Sequence, residues 1–146
     1  MNATASRPLQ SFRVLDLTNV VAGPFCCDHL AHLGADVVKV EASGTGDLAR
    51  ELGADLELNR ALMGVSFLEQ SAGKRWITLN LKLPRGNDVF RRLVRTADVA
   101  VENFRRGVMD RLGGFDALRI ENPRLIYCAI SGFGQDKLLK VLPAYD

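Results

Sequence analysis

The sequence predicts an α/β fold, a parallel sheet covered by helices on both faces, and three observations carry that prediction. Short apolar runs alternate with stretches of helical period along most of the chain, the order expected of repeated βα units. The runs are rich in valine, leucine and isoleucine with few polar interruptions, as strands buried on both faces are. The first run, the first helical stretch and the second run together span about 30 residues, the size of one βαβ unit.

The elements follow in order. Phe12 to Thr18 is apolar and bounded by a turn, which predicts a strand. Ala22, Phe25, Cys26, His29, Leu30 and Leu33 then recur at helical spacing and form the apolar stripe of a helix. Pro24 suits its first turn, where a missing N–H is harmless, and Gly34 suits its end. Asp36 to Glu41 is the second strand. From Ala42 to Lys74 the pattern weakens: Gly44-Thr-Gly-Asp47 reads as a turn, and Leu48 to Phe67 has room for one or two short helices. Arg75 to Leu81 predicts a third strand and Pro84 to Ala97 a second clear helix, with Val89, Phe90, Leu93, Val94 and Ala97 on its core face. Asp98 to Glu102 is the fourth strand. Short helices are expected at about Gly107–Leu112 and Phe115–Glu121, the latter stopped by Asn122-Pro123. Arg124 to Ser131 is the fifth strand, and Gln135 to Asp146 shows neither period nor cap. Such a Rossmann-like order places ligands outside the carboxyl ends of the strands.

Composition narrows the function. The chain has 146 residues, enough for one domain with a sizeable core. It is 47% hydrophobic and 25% charged, as ordinary globular proteins are. A net charge of +2 gives no case for nucleic acid, and no aromatic-and-basic platform accompanies the arginines. No apolar run approaches the roughly 20 residues that span a bilayer. The first residues lack the apolar core of a secretory signal, so residues 1–8 are expected to be a flexible arm and the location cytoplasmic. Cys26, Cys27 and Cys128 make neither a CxxC pair nor a metal set, and read as small buried hydrophobes in a reducing compartment.

The usual phosphate and catalytic signatures are missing. No GxGxxG follows the first strand, Gly44-Thr-Gly46 lacks a third glycine, and there is no Walker A sequence, GxSxG elbow or zinc-ligand spacing. His29 and His32 have no partner in sight and read as structural. Three other segments attract interest. Asn19-Val-Val-Ala-Gly-Pro24 is either a tight turn or a helix start whose free amides meet a ligand. Gly73-Lys-Arg75 is either a solvated edge or a glycine-opened approach with Lys74 as a point charge for phosphate. Asn103-Phe-Arg-Arg-Gly107, with Arg111 beyond, is either a solvated basic turn or an anion site at the end of the fourth strand.

Taken together, the segments resemble family III CoA-transferases, the formyl-CoA and carnitine-CoA transferase type. The matching text is Val14-Leu-Asp-Leu-Thr, Ala22-Gly-Pro, Leu33-Gly-Ala-Asp-Val-Val-Lys-Val-Glu41, Gly73-Lys-Arg and Thr78-Leu-Asn-Leu-Lys. It continues through Ala97-Asp-Val-Ala-Val-Glu-Asn-Phe104, Gly107-Val-Met-Asp-Arg-Leu-Gly113, Asn122-Pro-Arg-Leu-Ile-Tyr127, Ser131-Gly-Phe-Gly-Gln135 and Ala144-Tyr-Asp146. The resemblance runs from about Leu9 to the last residue and implies that residues 9–146 are the CoA-binding front part of such a fold, with an incomplete sheet.

That resemblance implies CoA held as a substrate, with no resident cofactor or metal. Val20, Val21 and Ala22 would form one contact, Ala72, Gly73 and Lys74 a second, and Asn103, Phe104 and Arg105 a third, with Arg111 at the phosphates. Tyr145 and Asp146 match positions near the acyl or acid substrate. Partners would be an acyl-CoA and a small carboxylic acid, without nucleic acid or membrane. In the family an aspartate attacks the thioester, giving a mixed anhydride and then an enzyme-bound CoA thioester. That aspartate falls beyond Asp146, so no catalytic residue is assigned within the chain. Family members are more than twice this length and form interlocked homodimers. An α-methylacyl-CoA racemase is the alternative activity. Racemases of the superfamily carry a histidine where Tyr145 stands and tend to lack the asparagine found at Asn103. A truncated, non-catalytic CoA-binding remnant is a further alternative. Departures from the family pattern are Arg106 for proline, Ser71 for asparagine, Leu83 for a capping aspartate, and Asp136 to Leu142 for a glycine-proline loop.

Overall fold

A computed structural model describes residues 6–134. Tyr145, Asp146, most of the expected arm and the Asp136–Leu142 segment lie outside the described residues.

Five strands form one parallel sheet in the order β3-β2-β1-β4-β5. They are β1 (Arg13–Asp16), β2 (Asp36–Ala42), β3 (Arg75–Leu79), β4 (Val99–Glu102) and β5 (Ile126–Ala129). Leu15 lies opposite Val38 on one side and Ala100 on the other, which fixes the central register. Helix α1 (Ala22–His32) links β1 to β2. A 3₁₀ turn at Leu48–Glu51, α2 (Leu56–Arg60) and α3 (Val65–Glu69) fill the stretch before β3. Helix α4 (Pro84–Val94) carries the chain across to β4, and α5 (Val108–Arg111) with α6 (Gly114–Glu121) leads to β5. The alternation, the strand number and the parallel sense match the expectation from sequence, with most strand ends one or two residues shorter and β2 one residue longer.

Alternating side chains of the central strands feed two cores, as the period of two requires. Val14, Val37 and Val101 pack with Cys27 and Ala31 of α1 on one face. Leu15, Leu17, Val38 and Ala100 pack with Phe90, Val94 and Leu118 on the other. Each fully buried side chain of this size contributes about 1.5–3 kcal/mol. On α4, Phe90, Val94 and Ala97 beyond its end are buried as expected. Leu83 stands at its N-cap without a side-chain bond, and Pro84 opens the helix.

Helix α1 departs from its expected packing. Its buried residues are Gly23, Pro24, Cys27, Asp28 and Ala31, while Phe25 is 55% exposed and Leu33 47%. The reason is close approach. A Cβ added at Gly23 would collide with the Thr18 side chain, so α1 meets the sheet through its small residues. Phe25 and Leu33 of the bulkier stripe are turned outward, while Leu30 still packs at the core's edge.

Candidate functional site

The strand order reverses between β1 and β4. The chain leaves β1 through α1 toward β2 on one side, and reaches β4 through α4 on the other face. A crevice therefore opens at their carboxyl ends, the place where open α/β sheets take ligands. The loops that flank it are the two singled out by sequence, residues 19–22 and 103–107.

Asn103 joins them. Its Oδ1 accepts from the Asn19 amide at 2.8 Å, and its Nδ2 donates to the Asn19 carbonyl at 2.8 Å. One side-chain amide thus saturates both backbone groups of a loop residue 84 positions away. Phe104 packs half-buried against the core, with its amide bonded to Glu102 at 2.6 Å. Glu102 also accepts from the Tyr127 hydroxyl at 2.9 Å. Burial pushes the Glu102 carboxyl above its ordinary range, against those two hydrogen bonds. Gly107 adopts φ 78° and turns the chain into α5.

The β1 exit is held from beneath by buried charges. Lys39 of β2 donates to the Thr18 carbonyl at 2.8 Å and pairs with Asp47 at 2.7 Å. Asp47 accepts the Val20 amide at 3.0 Å. Asp16 accepts from the Thr18 amide and hydroxyl and pairs with Lys74 at 2.9 Å. Two lysines and two aspartates, all buried, form a neutral set under the loop. Above it, Val21 and Ala22 are exposed at the start of α1, and their amides make no hydrogen bond among the described residues. Free donors at the first turn of a helix favour an anionic or carbonyl-bearing ligand.

Arg111 lies on α5 beside an open cleft of ≈ 800 Å³, shared with Leu81, Lys82, Asn87 and Arg91. Arg91 is engaged by Glu121 at 3.2 Å and by Asn87. The side chains of Arg111 and Lys82 have no hydrogen-bond or ion-pair partner among the described residues, leaving two cations available to an anion. Arg105 is exposed nearby in sequence.

The structure brings together Val20, Val21, Ala22, Asn103, Phe104 and Arg105 at one edge, while Arg111 lines the cleft between α4 and α5. It does not bring Ala72, Gly73 and Lys74 to that edge. They precede β3 at the amino end of the sheet, with Gly73 beside Ala31. The Lys74 ammonium is buried, pairing with Asp16 and donating to the Pro24 carbonyl at 2.8 Å. The expected point charge for phosphate is therefore a structural cation, because its stem reaches inward across the sheet. Lys82, which sequence reasoning passed over, occupies the open cleft instead. Its signal lay in its position, just after a strand.

The remaining candidates are structural in placement. His29 and His32 bond through Nδ1 to the Phe25 and Asp28 carbonyls one turn back. All three cysteines are free. Burial raises the Cys27 thiol far above its ordinary range, which removes it as a nucleophile. Among the described residues no cluster of three or more His, Cys, Asp or Glu could hold a metal, and no helix is long and apolar enough to cross a membrane.

A family-wide sequence profile described as CoA-transferase family III matches residues 9–146. The chain belongs to that family. It is 42% identical to a succinate–glutarate CoA-transferase of Agrobacterium fabrum over 143 residues, covering 95% of this chain and 36% of that protein. It is 44% identical to a formyl-CoA:oxalate CoA-transferase of Rhodopseudomonas palustris, covering 88% of this chain and 30% of that one. Among solved structures, a hypothetical protein from Mycobacterium tuberculosis superposes with a TM-score of 0.86 at 40% identity, covering 97% of this chain and 38% of that one. A CAIB/BAIF family protein from Brucella suis gives 0.85 at 38% identity, with 95% and 37% covered. The chain thus spans about a third of the length of these family III relatives.

Proposed function

We propose that the chain is the CoA-holding part of a CoA-transferase that moves CoA between an acyl-CoA thioester and a free carboxylic acid. The observation that carries this reading is the Asn103–Asn19 clamp at the strand-order reversal, beside open amides at Val21 and Ala22. The amides would meet the pantetheine arm or a phosphate oxygen, and Phe104 would wall the crevice. Arg111 and Lys82 would take the phosphates, which suits two unpaired cations on one cleft. The presence of Asn103 favours transfer over racemisation.

The chemistry splits one transfer into easier covalent steps. An aspartate carboxylate attacks the thioester carbonyl and releases the CoA thiolate, leaving a mixed anhydride. The thiolate then attacks the aspartyl carbonyl of that anhydride, forming an enzyme thioester and releasing the acyl group as a carboxylate. The acceptor acid takes CoA by the reverse of these steps. The reading assigns that aspartate to sequence beyond Asp146, so these residues bind and orient CoA without reacting. Three free cysteines fit a reducing cytosol, and a homodimer would cover the outward part of the α1 apolar stripe.

Isothermal titration of free CoA into the 146-residue protein tests the reading. Arg111→Ala is expected to weaken binding roughly tenfold, the scale of one lost hydrogen bond between charged groups, with unchanged thermal stability. Absence of binding by folded protein, or equal affinity in the variant, contradicts it.

A further inference from the structure

Val20 has φ 71°, a left-handed backbone that a β-branched residue rarely adopts. The other non-glycine residue in this region among the described residues, Leu62 at φ 58°, follows α2, where left-handed helix ends are ordinary. Val20 has no such excuse. Something outside the loop holds it, and strain of this kind persists only where the surroundings over-determine it.

The surroundings are two side chains, Lys39 within β2 and Asp47 after it. Asp47 is 1% exposed, and its Oδ1 accepts the Val20 amide and the Ala49 amide, each at 3.0 Å. Its other oxygen pairs with Lys39 at 2.7 Å, and Lys39 donates to the Thr18 carbonyl at 2.8 Å. The pair grips the loop on either side of Asn19, while Asn103 saturates Asn19 itself. Residues 18, 19 and 20 are therefore each anchored by a side chain from another strand or the loop after it. The next two amides, Val21 and Ala22, are the free ones.

We propose that Asp47 is a positioning residue for the CoA site, holding Val20 left-handed and thereby aiming the Val21 and Ala22 amides into the crevice. This rests on the CoA reading above. A valine released from Asp47 relaxes to negative φ, and the following amide swings away. Only the fraction of molecules still left-handed then binds, and apparent affinity falls by that fraction. Glycine occupies positive φ without penalty, so it replaces the need for Asp47 at this one position.

The experiment is a cycle of Asp47→Ala, Val20→Gly and the double variant, read by titration with CoA and by circular dichroism. Asp47→Ala, which removes the acceptor of the Val20 amide, is expected to weaken CoA binding about tenfold, and adding Val20→Gly to restore it to within about threefold of the parent. Unchanged affinity in a folded Asp47→Ala overturns the proposal, as does a folded double variant that stays weak. A merely structural Asp47 gives no rescue by a glycine 27 positions away. A second measurement needs no ligand and no variant: amide hydrogen exchange at Val20 is expected to be slow and at Val21 fast. Fast exchange at Val20 overturns the proposal even if CoA binds. Failure of the parent to bind CoA with Val20 protected overturns the CoA reading and leaves the Asp47 hold standing.

Discussion

At the amino end of the sheet, Asp36 accepts from Arg13 at 2.9 Å and makes a forked pair with Arg75, with Arg75's side chain 65% exposed. Arg13 also bonds Thr96, and its amide is taken by Asp98. These charges satisfy one another across three strands, in water. At the carboxyl end, Asp16, Lys39, Asp47 and the ammonium of Lys74 are buried, and all four reach backbone groups of residues 18–24. One end uses charge to tie strands together where solvent screens it. The other uses charge to hold a loop in a shape it would not take alone, and leaves amides open above it. The difference separates a staple from a mount, and it predicts that the same kind of substitution will have very different consequences at the two ends.

The largest effect is expected from Lys39→Ala. Removing one member of a buried pair leaves Asp47 uncompensated, and the Thr18 carbonyl loses its donor. A loss of about 3–5 kcal/mol is expected, measured by urea unfolding. A loss under about 1 kcal/mol would mean that the four charges do not act as one set. Gly23→Ala comes next. Alanine gains helix propensity, but its Cβ would collide with Thr18, so α1 must move off the sheet. Overpacking of this sort costs about 1–3 kcal/mol, and displacement of α1 carries Val21 and Ala22 with it. CoA affinity should fall along with the melting temperature. A more stable variant with normal affinity would show that the helix has room to spare.

How much of this was legible follows the same division. The sheet, its parallel sense and the α4 core face were written in local periodicity, since Phe90 and Val94 repeat at helical spacing on an otherwise polar helix. The two flanking loops were legible because turn residues mark them: Asn103 ends a strand, and Pro24 opens a helix. The buried charges were not legible, because burial of a lysine is decided by partners remote in sequence. Lys74 meets Asp16 across 58 positions, and nothing near Gly73 announces it. Lys39 did leave a trace, a lone cation inside Val37-Val-Lys-Val40, where a parallel strand covered on both faces has no solvent to offer. The α1 stripe misled for another reason. Periodicity reports which residues share a face, but Gly23, Cys27 and Ala31 share one too. Close packing against the sheet selected the smaller set.

The smallest effect is expected at the amino end, from Asp36→Asn. The hydrogen bond from Arg75 holds the Asp36 carboxyl below its ordinary value of 3.8, opposed by partial burial and aided by Arg13. A depressed folded-state value means that the unfolded chain binds more protons, so the contribution is present above about pH 4 and is lost as pH falls through the lower folded value. With both guanidinium partners open to water, screening limits it to about 1 kcal/mol or less. The stability difference between parent and variant should be flat from pH 7 to 5, shrink below pH 4, and shrink again in molar salt. Lys39→Ala should lose its stability at any ionic strength, because ions do not reach a buried pair. Equal salt sensitivity at the two ends would erase the distinction between them. CoA affinity supplies the last contrast: Asp36→Asn should leave it unchanged, since the amino-end pairs touch neither residues 18–24 nor the Arg111 cleft.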